Sequence, residues 1–397
     1  MLPRVKIEII DGEIGSASNV TLEYGLLASG VAVADKFALG TAYAITSLDG
    51  LVDLGITSAA DDANKNIYKT VADFYTEAAK GTKLWINAAA NTVTMATLCD
   101  KDSTHVTTLT NAANGAIRTI WLSKVEPAEY VPTILDGLDS DVYAAKTKAQ
   151  LFADAVTDDK YAPLFFVLPG RRFTGNADNL ADLFTDNSDR VAIMIGDIVS
   201  GSNDAACGLL VGRLASIPLR RKVMRVKNGK LNIDNAYIGS TKVDFIDPTT
   251  IDGKGFITFR KHIGKAGYFF TNDYLATAKT SDFSVMPRRR TIDEAYRLCY
   301  MRVLESLGDE FEVNDDGCIP VAIIKSIEND IATYIEESLG EDIAKNPDNP
   351  RDTGVKCYID PTKSLLSASG FDVDLGVRPF GYADYINVKL HFSTKTI

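Results

Sequence analysis

Apolar and polar positions alternate along this chain with two periods, and the changes of period predict its elements. Val5, Ile7 and Ile9 alternate with Lys6 and Glu8, as in a strand with one apolar face. Gly12, Gly15 and the run Ser16-Ala17-Ser18-Asn19 then read as a tether. From Gly25 the pattern becomes that of an α/β region. Ala44-Ile45-Thr46-Ser47 and a short acidic turn lead to a helix from about Asn66, with Ile67, Val71, Phe74 and Ala78 on one face. Gly81 ends it, and residues 83–86 form the next strand. A helix over 106–113 precedes a strand over 117–122, and a helix over 142–156 precedes the apolar run 164–168. A short helix over 180–184 leads to a second apolar run, 191–195. Strands without polar alternation are buried on both faces, as in a parallel sheet covered by helices. Asn228-Gly229 predicts a two-residue hairpin between 224–226 and 231–233.

Farther on, Phe256 to Phe259 and Gly267 to Phe270 are strand-like runs separated by a turn at Gly264. Thr291 with Glu294 three positions later is a capping-box pattern and predicts a helix start. Its stripe would be Ile292, Tyr296, Cys299, Val303 and Leu307, with Gly308 as the stop. Pro320 predicts another helix, with Ile323, Ile327, Ile331, Tyr334 and Leu339 inward. The cleanest alternation lies near the end: Ile386, Val388, Leu390 and Phe392 share one face, and Asn387, Lys389 and His391 the other.

Composition narrows the function. A length of 397 residues suits about two to three domains, and 46% hydrophobic with 24% charged residues is ordinary for a soluble globular protein. The net charge of −11 argues against nucleic acid as a main partner, since phosphate binding needs a basic face. One segment runs against that balance. Arg213, Arg220, Arg221, Lys222, Arg225, Lys227 and Lys230 occur with no acid among them, as a solvated surface or as a contact for an acidic neighbour. Five cysteines without CxxC spacing and three dispersed histidines predict neither a disulfide framework nor a metal site. The opening MLPRVKIEIIDGEIG is interrupted by charge before an apolar core develops, so no signal peptide is expected.

Catalytic signatures are missing too. There is no phosphate-binding P-loop, no dinucleotide fingerprint and no nucleophile elbow. Asn314-Asp315-Asp316-Gly317 fails as a calcium loop, because Ile323 stands at the twelfth position where a bidentate Glu is needed. No catalytic residue, cofactor or metal is expected.

Gly264-Lys265, Gly267-Tyr268, Thr271-Asn272-Asp273, Asp282-Phe283 and Arg290 with Asp293 and Arg297 resemble the C-terminal domain of contractile tail sheath proteins, best over about residues 251–339. The order of a short acidic turn after Ile45-Thr46-Ser47, a helix, a Gly and a strand is similar to the segment after the N-terminal arm of such proteins.

The resemblance implies a multi-domain α/β architecture with an α+β inner domain and terminal strand-donating arms. It divides the chain into an N-terminal arm at 1–22, an outer α/β domain at 23–245 and an inner domain at 246–397, with an arm strand at 385–393. It implies a non-enzymatic subunit of a phage tail or injection system, stacked as hexameric rings around an inner tail tube and contracting to drive that tube through a cell envelope. Assembly in the bacterial cytoplasm, and tube, baseplate and terminator proteins as partners, follow from the same resemblance; membrane and nucleic acid do not. Strand donation to neighbours would fall to Val5, Ile7, Ile9, Ile386, Val388, Leu390 and Phe392. Contact with the tube or a neighbour would fall to Arg288, Arg289, Arg290, Arg220, Arg221 and Lys222. The other reading is a soluble cytoplasmic α/β enzyme of unknown reaction.

Overall fold

The computed structural model describes residues 22–62, 65–388 and 390. Strand β1 (Glu23–Ser29) is buried along its whole length, which places it inside a sheet rather than at an edge. It is followed by β2 (Ala42–Ile45), helix α1 (Ile67–Glu77), β3 (Leu84–Ala89) and β4 (Ile117–Ser123). Helix α2 (Ser140–Lys160), β5 (Phe165–Pro169), β6 (Val191–Met194) and helix α3 (Cys207–Ser216) complete this part. The six strands stand in the order β2-β3-β1-β4-β5-β6, all parallel except β2, which pairs antiparallel to β3 at one edge. The parallel strands thus follow a doubly wound order.

Helices α1 and α3 cross at closer than ordinary distance. A Cβ on Gly208 or Gly212 of α3 would fall 2.3 Å from the Thr70 carbonyl oxygen or 2.2 Å from that of Phe74, so only glycine permits this approach. Below them Phe74 stacks on Trp121, with ring centroids 5.1 Å apart, and the indole donates to Thr70 Oγ1 at 3.3 Å.

The apolar core of this body reaches past residue 245. Phe256, Ile257, Phe259, Tyr268, Phe270, Leu275, Ala276 and Met286 belong to the same cluster as Tyr24 and Leu26. Ile257 extends the sheet beyond β6: its amide donates to the Ile193 carbonyl at 2.9 Å, and its carbonyl accepts from the Ile195 amide at 2.8 Å. Helix α4 (Met286–Leu304), helix α5 (Val321–Leu339) and a hairpin of β7 (Val355–Ile359) with β8 (Val373–Val377) then build a second core around Leu298, Ile331, Ile335 and Val355.

Two local expectations are corrected. Helix α4 begins at Met286, not at Thr291, because Pro287 suits a first helical turn and the arginines after it are good helix formers. Thr291 and Glu294 therefore lie inside the helix, and the expected stripe is only partly covered: Cys299 and Val303 pack on the second core, Tyr296 and Leu307 are exposed, and Asp293, Glu294 and Arg297 are buried instead. Asn228-Gly229 forms no hairpin; Val226–Asn228 is a short 3-10 turn closed by Gly229 at φ 86°, and the Leu231 amide pairs instead with the Tyr268 carbonyl at 2.9 Å. Tertiary pairing with the 268–270 segment prevails over a local turn preference.

Candidate assembly surfaces

The residues singled out from the sequence separate into two groups, those turned into the subunit and those left outside. Helix α4 lays a charged face against the sheet body. Glu294 meets Arg118 Nε at 2.7 Å, and Asp293 meets Arg190 at 3.0 Å. Arg290 is buried and donates to the carbonyls of Leu214 (2.8 Å) and Ile217 (3.3 Å), which terminate α3, where the helix dipole favours a cation. Arg297 donates to the carbonyls of Ile117, at 3.0 Å, Gly115 and Pro163. Burial, and then the positive charge of Arg118, hold Arg297 down to about 9. Arg289 lies over the Phe283 ring, 3.9 Å from its centroid, within 3.5 Å of Asp293. Of the three consecutive arginines only Arg288 is half-buried; Arg289 and Arg290 spend their charge inside the subunit.

Three of the seven cations of the basic run are paired within the chain. Arg213 pairs with Glu77 at 2.7 Å, and Arg220 with Glu341 at 2.6 Å and Asp342 at 3.3 Å. Lys222 is held at 2.6 Å from Asp384 and 3.5 Å from Asp273. Among the described residues no carboxylate lies within ion-pair distance of Arg221, Arg225, Lys227 or Lys230. The acidic partners Asp273, Asp342 and Asp384 are far from the run in sequence, so no spacing signals them.

The carboxy-terminal run is outside the body. Ile386, Val388 and Leu390 are 78%, 80% and 96% exposed, and residues 385–388 pair with no strand among the described residues. Val5, Ile7, Ile9 and Phe392 lie outside the described residues. The hairpin of β7 and β8 offers a complementary surface: it is a two-stranded sheet with both outer edges unpaired among the described strands. Cys357, Val373, Leu375 and Val377 pack on the second core, so the sheet has a supported apolar face.

At the carboxyl ends of β4, β5 and β6, where doubly wound folds bind ligands, a polar cavity of about 690 Å³ is lined by Lys69, Lys124, Arg171, Arg172, Asp197 and Asp204. Its cations are already matched. Lys69 bridges Asp73 (2.9 Å) and Asp197 (2.7 Å), Arg171 and Arg172 both pair with Glu126, and the Lys124 ammonium donates to the Asn91 and Val93 carbonyls. The arrangement braces loops. No three metal-ligating side chains converge among the described residues, and no helix there is long and apolar enough to cross a membrane.

A doubly wound body, a charged seam and a small open-edged sheet define a class. The fold is that of contractile sheath proteins. The helical sheath of the anti-feeding prophage in its contracted state superposes with a TM-score of 0.62 at 13% identity, covering 100% of this chain and 99% of that one. The sheath of an extracellular contractile injection system, PVC, also contracted, gives 0.63 at 14%, covering 99% and 98%. A sheath tail protein from Desulfitobacterium hafniense gives 0.51 at 11%, covering 96% and 100%. A search of curated protein sequences returns no match. The chain belongs to the DUF2586 family, whose N-terminal domain is matched by residues 2–274.

Proposed function

We propose that the chain is the structural subunit of a contractile sheath, stacked as hexameric rings around an inner tail tube and shortening to drive that tube through a target envelope. The observation that carries this reading is the likeness of the whole chain, end to end, to sheaths solved in the contracted state. Likeness to chains in the anti-feeding prophage baseplate supports a particle in which sheath and baseplate meet. Assembly in the bacterial cytoplasm, with tube and terminator proteins as further partners, belongs to the same reading. So does the division into an arm at 1–22, an outer body at 23–245 and an inner layer at 246–397, the first part of that layer, residues 256–286, packing into the core of the outer body.

In this reading the exposed run Ile386, Val388 and Leu390, continued by Phe392, adds to an open edge of the β7–β8 hairpin in a neighbouring subunit, as Val5, Ile7 and Ile9 do from the other end. An exposed apolar run is a liability unless a partner covers it. Burial contributes roughly 1.5–3 kcal/mol per side chain, and each strand hydrogen bond about 0.5–1.5 kcal/mol. Arg288 and Arg221, both half-buried, are the members of the expected tube or neighbour contact that meet no carboxylate among the described residues. The work is mechanical: the stored energy is a difference between two packings of the same subunits.

Electron microscopy of the purified full-length protein tests the proposal. Striated hollow tubes are expected; monomers or small closed oligomers at high concentration would refute it.

A further inference from the structure

The carboxy-terminal segment changes character within a few residues. It leaves β8 tied to the body, with the Arg378 amide donating to the Gly354 carbonyl at 2.8 Å and the Arg378 guanidinium 2.6 Å from Asp352. Phe380 then packs beneath the Arg220 guanidinium, whose carbon is 5.8 Å from the ring centroid. The Tyr382 hydroxyl donates to the Arg220 carbonyl at 2.8 Å. Asp384 meets Lys222. One residue later Tyr385 is 83% exposed.

Lys222 is fixed from below. Its side chain is 6% exposed, its carbonyl accepts from Asn228 Nδ2 at 3.0 Å, and its ammonium lies over the Tyr382 ring, 5.5 Å from the centroid. The carboxylate under it, Asp273, is fully buried; it accepts from the Val223 amide at 3.1 Å, and its backbone carbonyl accepts from the Met286 amide that opens α4. Asp273 is therefore set by the body, and at 3.5 Å it offers Lys222 only a long contact. The short bond goes to the departing segment.

We propose that Lys222 is the positioning residue of the carboxy-terminal segment, clamping Asp384 to the body so that the apolar run beyond it leaves in a set direction, away from its own subunit. The clamp makes Asp384 the last anchored residue and Tyr385 the first free one. Its purpose rests on the sheath reading, since a strand offered to a neighbour must not fold back onto its parent. Its geometry does not. The basic run, in this account, recognises an acidic residue of the same chain.

Chymotrypsin reads the clamp, because the segment carries Phe380, Tyr382 and Tyr385 as successive cleavage points. On full-length protein kept below its assembly concentration, cleavage after Tyr385 is expected to lead and cleavage after Tyr382 and Phe380 to lag. Asp384→Asn removes a charge-assisted bond and should raise cleavage after Tyr382, relative to Tyr385, by about tenfold. Asp384→Glu should restore the wild-type ratio. Because Lys222→Met would strand the buried Asp273 charge, the paired variant Lys222→Met with Asp273→Asn serves as the second arm and should match Asp384→Asn. An unchanged ratio in Asp384→Asn and in the paired variant would overturn the clamp. Absence of tubes from the wild-type protein would sink the sheath reading, while the cleavage ratio would still decide the clamp by itself.

Discussion

At the scale of single residues, stability is concentrated where a side chain has no room or no water. Gly212 is the sharpest steric case. Gly212→Ala should destabilise the protein by roughly 1–3 kcal/mol or more, whereas Gly253→Ala, where an added Cβ meets nothing within 4 Å, should stay within about 0.5 kcal/mol. Denaturant unfolding of the two variants decides the matter, and equal midpoints would contradict the close helix crossing.

Asp204 and Asp273 are the corresponding electrostatic cases. Burial pushes both carboxyls up to about 6, against the pull of Arg171 on Asp204 and of Lys222 on Asp273. Their folded-state values lie above the unfolded ones, so between about pH 4 and 6 the folded chain holds more protons than the unfolded chain. Their contribution to stability therefore grows as pH falls through that window, by roughly 1–3 kcal/mol per carboxylate. Urea midpoints should rise from pH 7 to pH 5, and Asp204→Asn should flatten the slope. A slope of the opposite sign in the wild type would show that other groups dominate.

At the scale of elements, α4 is the seam between the two cores, and its contacts are ionic where most helices bury apolar side chains. A buried pair contributes little over an apolar replacement, but removing one partner leaves a charge without compensation. Arg118→Met alone should cost roughly 3–5 kcal/mol by stranding Glu294, while Arg118→Met with Glu294→Leu should cost distinctly less. If the double variant is the sum of the singles, the seam is not a coupled pair. The last residues make the opposite case. Deleting 385–397 removes the exposed side chains of Tyr385, Ile386, Val388 and Leu390, so thermal unfolding should barely move while tubes disappear. A truncated chain that still forms tubes would remove strand donation from the account.

At the scale of the whole molecule, assembly should need neither nucleotide nor metal, since the contacts proposed for it are strand pairings and apolar packing. Arg288→Glu with Arg221→Glu should weaken assembly more at low salt than at high salt, where charges at the surface are screened, while the subunit still folds. Arg290→Glu should instead prevent folding, because it places an anion against the carbonyl terminus of α3. Salt-independent assembly of the first variant would remove those two residues from the contact.

Much of the body was legible in the chain. Fully apolar runs such as 164–168 and 191–195 specify buried parallel strands by themselves, because only burial on both faces tolerates them, and the 3.6-residue stripe of Ile67, Val71 and Phe74 specifies α1. The carboxy-terminal run was legible only in part: the alternation of Ile386, Val388 and Leu390 predicts one apolar face, but it does not say whether that face is covered by the same subunit or by a neighbour. Charge could not be read this way. Arg289, Arg290, Arg220 and Lys222 look like surface in sequence, since a cation is ordinarily solvated. Whether each faces water depends on a carboxylate or helix end brought from up to 162 residues away, as Asp384 is to Lys222. Periodicity is a local property and survives folding. Ion pairing between distant residues exists only once the fold has placed them together.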